Sequence, residues 1–340
     1  MEQSELLIPR LSNVSSLRQS AWFANLADDV LASIAVQFEP FALNSGEILF
    51  RQGDSGDSLY LVVSGRVRIL VSTSTGERAV GELGAGEIVG EMSVLSDEPR
   101  SATAIAARDT QLARLSKEAL DQISGPGRRA LDGIFIRQLA ARLRAETAGT
   151  RRERAPLRSI SLVPISSGAP IEDFSRLLSG ALGPPSRVLR LDSREIEQLS
   201  GFAGAAQSIP GDSLHGPLTN WLNLQEIQHS KVVYVADCDN SPWTARCIRQ
   251  SDLVLLIASR IDSLEDTRRR VDELLDLPGM REKRRILVLL YSPGDGEPFS
   301  TRVWVEAILC DRHLHIRMNR PADFERLSRF VVPMDRSKAR

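Results

Sequence analysis

SGEILFRQGDSGDSLYLVVSGRVRILV, residues 45–71, sets the architecture of the first half of the chain. Glycines at 46, 53, 56 and 65 cut it into short runs of Val, Ile and Leu. Residues 59–63 and 67–71 alternate in part between apolar and polar, as half-buried strands do. The pattern extends over 40–115, with further glycines at 76, 81, 84 and 86. Short strands with regular glycine turns predict an antiparallel roll or barrel. Ahead of it, 20–38 carries apolar residues at helical spacing, including Trp22, Phe23, Leu26, Val30, Leu31 and Ile34. Behind it, 117–123 reads as a short helix, and Pro126 opens a longer one to about residue 146. Its stripe of Leu131, Ile134, Phe135, Leu139 and Leu143 suits packing on the roll, a ligand lid or the seam of a homodimer.

GEMSVLSDEPRSAT, residues 90–103, carries the chemistry of this half. A Gly-Glu pair stands nine residues ahead of Arg100, which small polar residues follow. A guanidinium pairs bidentately with phosphate oxygens. A carboxylate only accepts hydrogen bonds, so Glu91 suits a ribose hydroxyl. Gly90 admits a close approach to the backbone, and amides around Met92 and Ser93 at a short helix start favour an anion. One competing account is an ordinary surface ion pair between Glu91 and Arg100; the more serious one is a domain that keeps this fold and has lost its ligand.

This stretch resembles the phosphate-binding cassette of the cyclic nucleotide-binding domain family, and the likeness covers roughly residues 20–145. It implies a β-roll in which Arg100 pairs with the cyclic phosphate of cAMP or cGMP. Glu91 takes the ribose 2′-hydroxyl, and the amides near Ser93 and the Ser101 hydroxyl complete the cage. Gly90 and Met92 belong to the same set, Met92 standing where the family usually has Leu or Ile.

Composition sets bounds on the rest. The 340 residues suffice for two domains with their own cores. A net charge of −1 does not favour a nucleic-acid partner. Cys238, Cys247 and Cys310 have no metal-like spacing and fit reduced thiols in a cytoplasmic setting. Cys310 lies near His313 and His315, but that alternation fits a strand better than a metal site. No signal peptide and no bilayer-long apolar run is present, so membrane contact is expected to be peripheral.

TRRERAPLR, residues 150–158, reads as a connector. Beyond it, strand-like runs at 160–165, 187–191, 231–236, 252–258 and 285–291 alternate with helical segments. Those segments lie at about 171–182, 214–228, 243–250, 264–276 and 302–309. Alternation of this kind predicts an α/β domain with a mostly parallel sheet. KVVYVAD (231–237) and LVLLIA (253–258) are apolar on both faces, as its central strands must be.

GPLTNWLNLQEIQHSKVVYVADCDNSPWTARCIRQSDLVLLIA, residues 216–258, resembles the region ahead of the esterase domain in patatin-like phospholipases of the neuropathy target esterase group. That likeness covers roughly 159–330 and implies a P-loop-like fold. The loop after the first strand, ISSGAPIEDFSRLL (165–178), has one glycine, no Lys, and two acids at Glu172 and Asp173. A working phosphate loop needs several glycines, a Lys and a hydroxyl. No GxSxG elbow and no Gly-rich oxyanion loop occurs in these residues. Asp237 and Asp239 form a carboxylate pair, either catalytic or capping the next helix.

The expected fold is α+β for the β-roll sensory domain, followed by an α/β domain. The divisions are a flexible 1–18, a sensory domain 19–147, a linker 148–158, a degenerate P-loop-like domain 159–332 and a tail 333–340. The expected function is a cyclic-nucleotide-sensing regulatory region, not itself an enzyme, with no metal and no cofactor. Expected partners are the nucleotide, a patatin-like esterase domain or a membrane-surface lipid, and a second copy. The alternatives are a sensory protein acting on transcription and an NTPase-fold enzyme.

Overall fold

The glycine-punctuated half forms eight strands: β1 (Glu39–Leu43), β2 (Ile48–Phe50), β3 (Ser58–Ser64), β4 (Arg66–Thr73), β5 (Gly76–Gly84), β6 (Ile88–Val89), β7 (Thr103–Ala106) and β8 (Thr110–Ser116). They make two antiparallel sheets, ordered β1-β8-β3-β6 and β2-β7-β4-β5. The computed structural model describes residues 17, 18, 20, 22–74, 76–147, 157–259, 263–281, 283–291, 301–308 and 310–331. The flexible N-terminus read at 1–18, the connector at 148–158 and the tail at 333–340 lie wholly or mostly outside them. The chain divides into two units, Met1–Ala155 and Pro156–Arg340.

In the first unit, the two-residue period of β3 places its side chains in two cores. Leu59 and Leu61 sit opposite Leu115 and Ala113 of β8. All four pack with Leu31 and Ile34 of the helix Asp28–Ala35 and with Leu131, Ile134 and Phe135 of the helix Gly125–Thr147. Tyr60 and Val62 point the other way, to Val67, Leu83, Ala104 and Leu112 between the sheets. Ser116 caps the helix Lys117–Gln122 by accepting from the Ala119 amide at 3.1 Å. The expected helix over 20–38 is shorter, only Asp28–Ala35; residues 22–26 form turns, with Phe23 held by the Ser20 carbonyl.

The second unit holds six strands: β9 (Ser159–Pro164), β10 (Val188–Leu191), β11 (Lys231–Val235), β12 (Leu253–Ser259), β13 (Arg284–Tyr291) and β14 (Arg312–Arg317). They form one sheet in the order β10-β11-β9-β12-β13-β14, with every pairing parallel. Both faces are covered, as a parallel sheet requires. Leu253, Leu255 and Ile257 of β12 face Phe174 and Leu178 of the helix Ile171–Leu182 and Phe324 and Leu327 of the helix Pro321–Val331. Val254, Leu256 and Ala258 face a larger core with Leu218, Leu222, Trp243, Cys247 and Leu274. Two helices, Glu195–Ser200 and Pro321–Val331, were not foreseen. The His313-Leu314-His315 alternation does lie on a strand, the edge strand β14.

Candidate functional site

Residues 90–103 form a short helix and the loop returning from it. The helix, Glu91–Ser96, lies between two left-handed residues, Gly90 (φ 81°) and Asp97 (φ 59°). Gly90 is required by a neighbour: a Cβ there would lie 2.5 Å from Arg100 Nη1. The close approach that the sequence assigned to a ligand is therefore made by the Arg100 guanidinium. Glu91 and Ser93 are buried, Met92 is exposed, and Ser101 is exposed beside the buried Arg100.

Arg100 is only 4% exposed. Its Nη1 donates to the Gly90 carbonyl and to Ser93 Oγ, both at 2.7 Å, and its Nη2 donates to the Ser58 carbonyl at 2.7 Å. The Phe50 ring lies against the guanidinium, 4.2 Å from its centre. The Arg100 backbone is clamped to the preceding loop, its amide donating to Asp54 O and its carbonyl accepting from Gly53 N, each at 2.8 Å. Nε is buried and has no hydrogen-bond acceptor among the described residues. Burial lowers the Arg100 pKa from its ordinary value, while Tyr60, Asp57, Asp54 and Glu91 act in the opposite direction. The site is thus a desolvated cation within an acidic rim, with its Nε donor unused.

Of the expected set Gly90, Glu91, Met92, Ser93, Arg100 and Ser101, hydrogen bonds join Gly90, Ser93 and Arg100, and the Glu91 charge acts on Arg100, while Met92 and Ser101 are exposed. The structure adds Phe50, Ser58 and the loop 51–57, which were not assigned. The glycines of GDSGD were their only signal: a Cβ on Gly56 would lie 2.2 Å from Ser93 Oγ.

In the second unit, polar groups at the end of β9 are engaged within the protein. The Ile165 amide donates to Ile257 O at 2.9 Å, and Ser166 Oγ accepts from the Ser259 amide at 2.7 Å. The following helix opens with Glu172 and Asp173. Glu172 pairs with Arg190 at 3.1 Å. Asp237 accepts the hydroxyls of Ser193 at 2.7 Å and Ser241 at 2.6 Å. Ser241 is itself the N-cap of the helix Pro242–Gln250, accepting from the Thr244 amide at 3.1 Å. Asp239 accepts from the Ser241 amide at 3.2 Å. The two aspartates therefore brace a cap without being the cap residue. His315 stands between hydroxyls, Tyr291 Oη at 2.7 Å from Nδ1 and Thr301 Oγ1 at 3.2 Å from Nε2. Among the described residues there is no group of three or more His, Cys, Asp or Glu suited to a metal ion. Among them, too, no helix is long and apolar enough to cross a membrane.

Comparison with known proteins agrees with both halves. A family model described as the cyclic nucleotide-binding domain matches residues 40–124. One described as the neuropathy target esterase family P-loop like domain matches residues 156–337, over half of the chain. Patatin-like phospholipase domain-containing protein 6 of Mus musculus is 29% identical over 301 residues, covering 82% of this chain and 21% of that protein. Patatin-like phospholipase domain-containing protein 7 of Rattus norvegicus is 30% identical over 298 residues, covering 81% and 21%. A solved cyclic nucleotide-binding domain from Methylobacillus flagellatus is 26% identical, with a TM-score of 0.38, over 40% of this chain and 79% of that one. The chain spans about a fifth of the length of the curated relatives it matches.

Proposed function

The chain belongs to the neuropathy target esterase family, and from that premise we propose that it is the cyclic-nucleotide-sensing regulatory region of a patatin-like esterase. The observation that supports this most is Arg100, buried inside the cassette with Nε unused. A buried N–H without an acceptor costs about 1–3 kcal/mol. A cyclic phosphate oxygen would satisfy it and neutralise the cation at the same time. Bidentate docking would use Nε and the second Nη2 hydrogen, since Nη1 has both of its hydrogens engaged.

The remaining roles follow from position. Glu91 accepts from the ribose 2′-hydroxyl, the amides of Met92 and Ser93 face the phosphate, and the exposed Ser101 hydroxyl closes the cage. Binding biases the helix Gly125–Thr147, whose Leu131, Ile134 and Phe135 already lie against β3 and β8. The shift can be no larger than the difference in ligand affinity between the two helix positions. We assign the sensory domain to 19–147 and the degenerate P-loop-like domain to 159–332. The second domain relays the state to a patatin-like esterase domain, which carries the catalysis. A homodimer through the helix Gly125–Thr147 and peripheral contact with a lipid surface are compatible with this role.

Nucleotide hydrolysis by the second unit is disfavoured by Glu172 and Asp173 at the start of its first helix, where a triphosphate would meet two like charges. A DNA-reading role is disfavoured by the fold itself, since the chain continues into a parallel sheet where a recognition helix would be expected. Isothermal titration of cAMP and cGMP into the chain tests the reading. The wild type should bind at least one of them, and Arg100→Lys, which keeps the charge and loses the fork, should bind at least tenfold more weakly. Equal heats for the two proteins would refute the assignment.

A further inference from the structure

A second guanidinium braces the segment on which the first one rests. Arg114 lies on β8, level with Tyr60 of β3 and Glu39 of β1. Its Nε donates to Ser58 Oγ at 2.8 Å, and its Nη2 lies 3.5 Å from the Asp57 carboxylate. Glu39 is a looser partner, 3.7 Å from Nη1. The two nearer partners belong to the segment 56–58, which packs directly on Arg100. A Cβ on Gly56 would lie 3.4 Å from Arg100 Cζ, and the Ser58 carbonyl accepts from Arg100 Nη2 at 2.7 Å. Asp57 carries the charge of that segment, and among the carboxylates it acts on Arg100 most strongly. Ser58 is fully buried, and its hydroxyl and carbonyl are held by two different arginines.

We propose that Arg114 is a positioning residue for the cyclic phosphate: it offsets the Asp57 charge beside Arg100 and anchors Ser58, so that an anion can enter the acidic rim. This rests on the reading of the cassette as a cyclic-nucleotide site. The need for an offset follows from charge. Asp57 and an incoming phosphate are anions that approach the same guanidinium, and they repel each other where burial weakens screening. A cation 3.5 Å from the Asp57 carboxylate turns a single charge into a dipole, whose field falls off faster with distance. Arg100 then keeps its own charge for the ligand. The hydrogen bond to Ser58 does the second task. The Ser58 carbonyl takes one Nη2 hydrogen of Arg100, and the other, next to Nε–H, is the one assigned to the phosphate. Fixing Ser58 therefore fixes the edge of the guanidinium that the ligand meets. The ion pair itself adds little to folding stability, because the side chains of Arg114 and Asp57 are 33% and 68% exposed. Its effect falls on binding.

Arg114→Gln removes the charge and keeps a donor for Ser58. Titration of cAMP and cGMP into the full chain at low salt should show Arg114→Gln binding about fivefold more weakly than wild type, a loss of ~1 kcal/mol. That deficit should shrink in about 0.5 M salt, and Arg114→Lys, which keeps the charge, should lose less. The double variant Arg114→Gln/Asp57→Asn should recover wild-type affinity, because the carboxylate to be offset is gone. Lost packing would not be recovered in this way. Asp57→Asn alone should bind at least as tightly as wild type, and its binding with wild type silent would also support the proposal. If wild type binds and Arg114→Gln binds equally well, or if its deficit persists in the double variant, this inference fails while the sensor reading stands. Should Arg114→Gln not fold, weaker binding by Asp57→Asn than by wild type would overturn the inference. If neither wild type nor any variant binds either nucleotide while all stay folded by circular dichroism, the sensor reading fails and takes the inference with it.

Discussion

Arg100 shows how one side chain can be structural and ligand-ready together. Three protein acceptors and the Phe50 ring hold it in place, and Nε is left over. Gly90 makes this possible, so Gly90→Ala should cost about 1–3 kcal/mol through left-handed strain and the clash with Nη1. Urea unfolding followed at the first unit would read the loss, and nucleotide affinity should fall with it. At the far end of the chain, burial lowers the His315 pKa below its usual 6.5, with His313 and Arg326 adding to the effect. A His depressed in the folded state takes up protons on unfolding, so its contribution is complete above the unfolded pKa and is lost as pH falls through the folded one. The second unit should therefore lose stability on acidification below about pH 6.5, and His315→Gln should reduce that slope in thermal melts. That Gly90, Ser93 and Arg100 lie together was legible from the likeness of residues 90–103 to a known cassette, not from the spacing of a carboxylate and a guanidinium alone. The Ser93 contact was not, because it depends on a rotamer and on the backbone of Gly56, which lies far away in sequence.

The helix Pro242–Gln250 illustrates an element made by its first turn. Ser241 caps it, Pro242 fits the position where a missing N–H costs nothing, and Asp237 grips the cap hydroxyl. Ser241→Ala should destabilise the second unit by about 1–2 kcal/mol, measured by urea denaturation. Asp239→Ala should cost less, since it removes one longer contact to the Ser241 amide. The core strands were legible for a related reason: β11 and β12 are buried along their whole length, and apolar runs of five to seven residues leave few other options. The helix Glu195–Ser200 was missed because six residues with Ile196 as the buried one show no readable period. The helix before the roll was overextended because Trp22, Phe23 and Leu26 are spaced as a helix would space them, while the chain there turns around Ser20. Such turn-borne apolar residues cannot be told from helical ones without the tertiary contacts that Phe23 makes with Phe38.

Two units with separate cores should unfold as separate transitions. In calorimetry, a saturating cyclic nucleotide should raise only the one that belongs to the β-roll. At a hundredfold excess over Kd the gain is about 2.7 kcal/mol. A shift of both transitions by the same amount would mean that the ligand bridges them. The parallel sheet was foreseen from strand–helix alternation, but its order was not, since β11 lies between β10 and β9 through packing that no local pattern encodes.

The Nε–H resonance of Arg100 reports on the cassette most directly, because that donor has no acceptor among the described residues. Titrating cAMP or cGMP into the 15N-labelled chain should move this resonance downfield and slow its exchange with solvent as the phosphate takes up the hydrogen. An Nε–H signal unchanged at millimolar nucleotide, in a chain whose other resonances mark it as folded, would contradict the account.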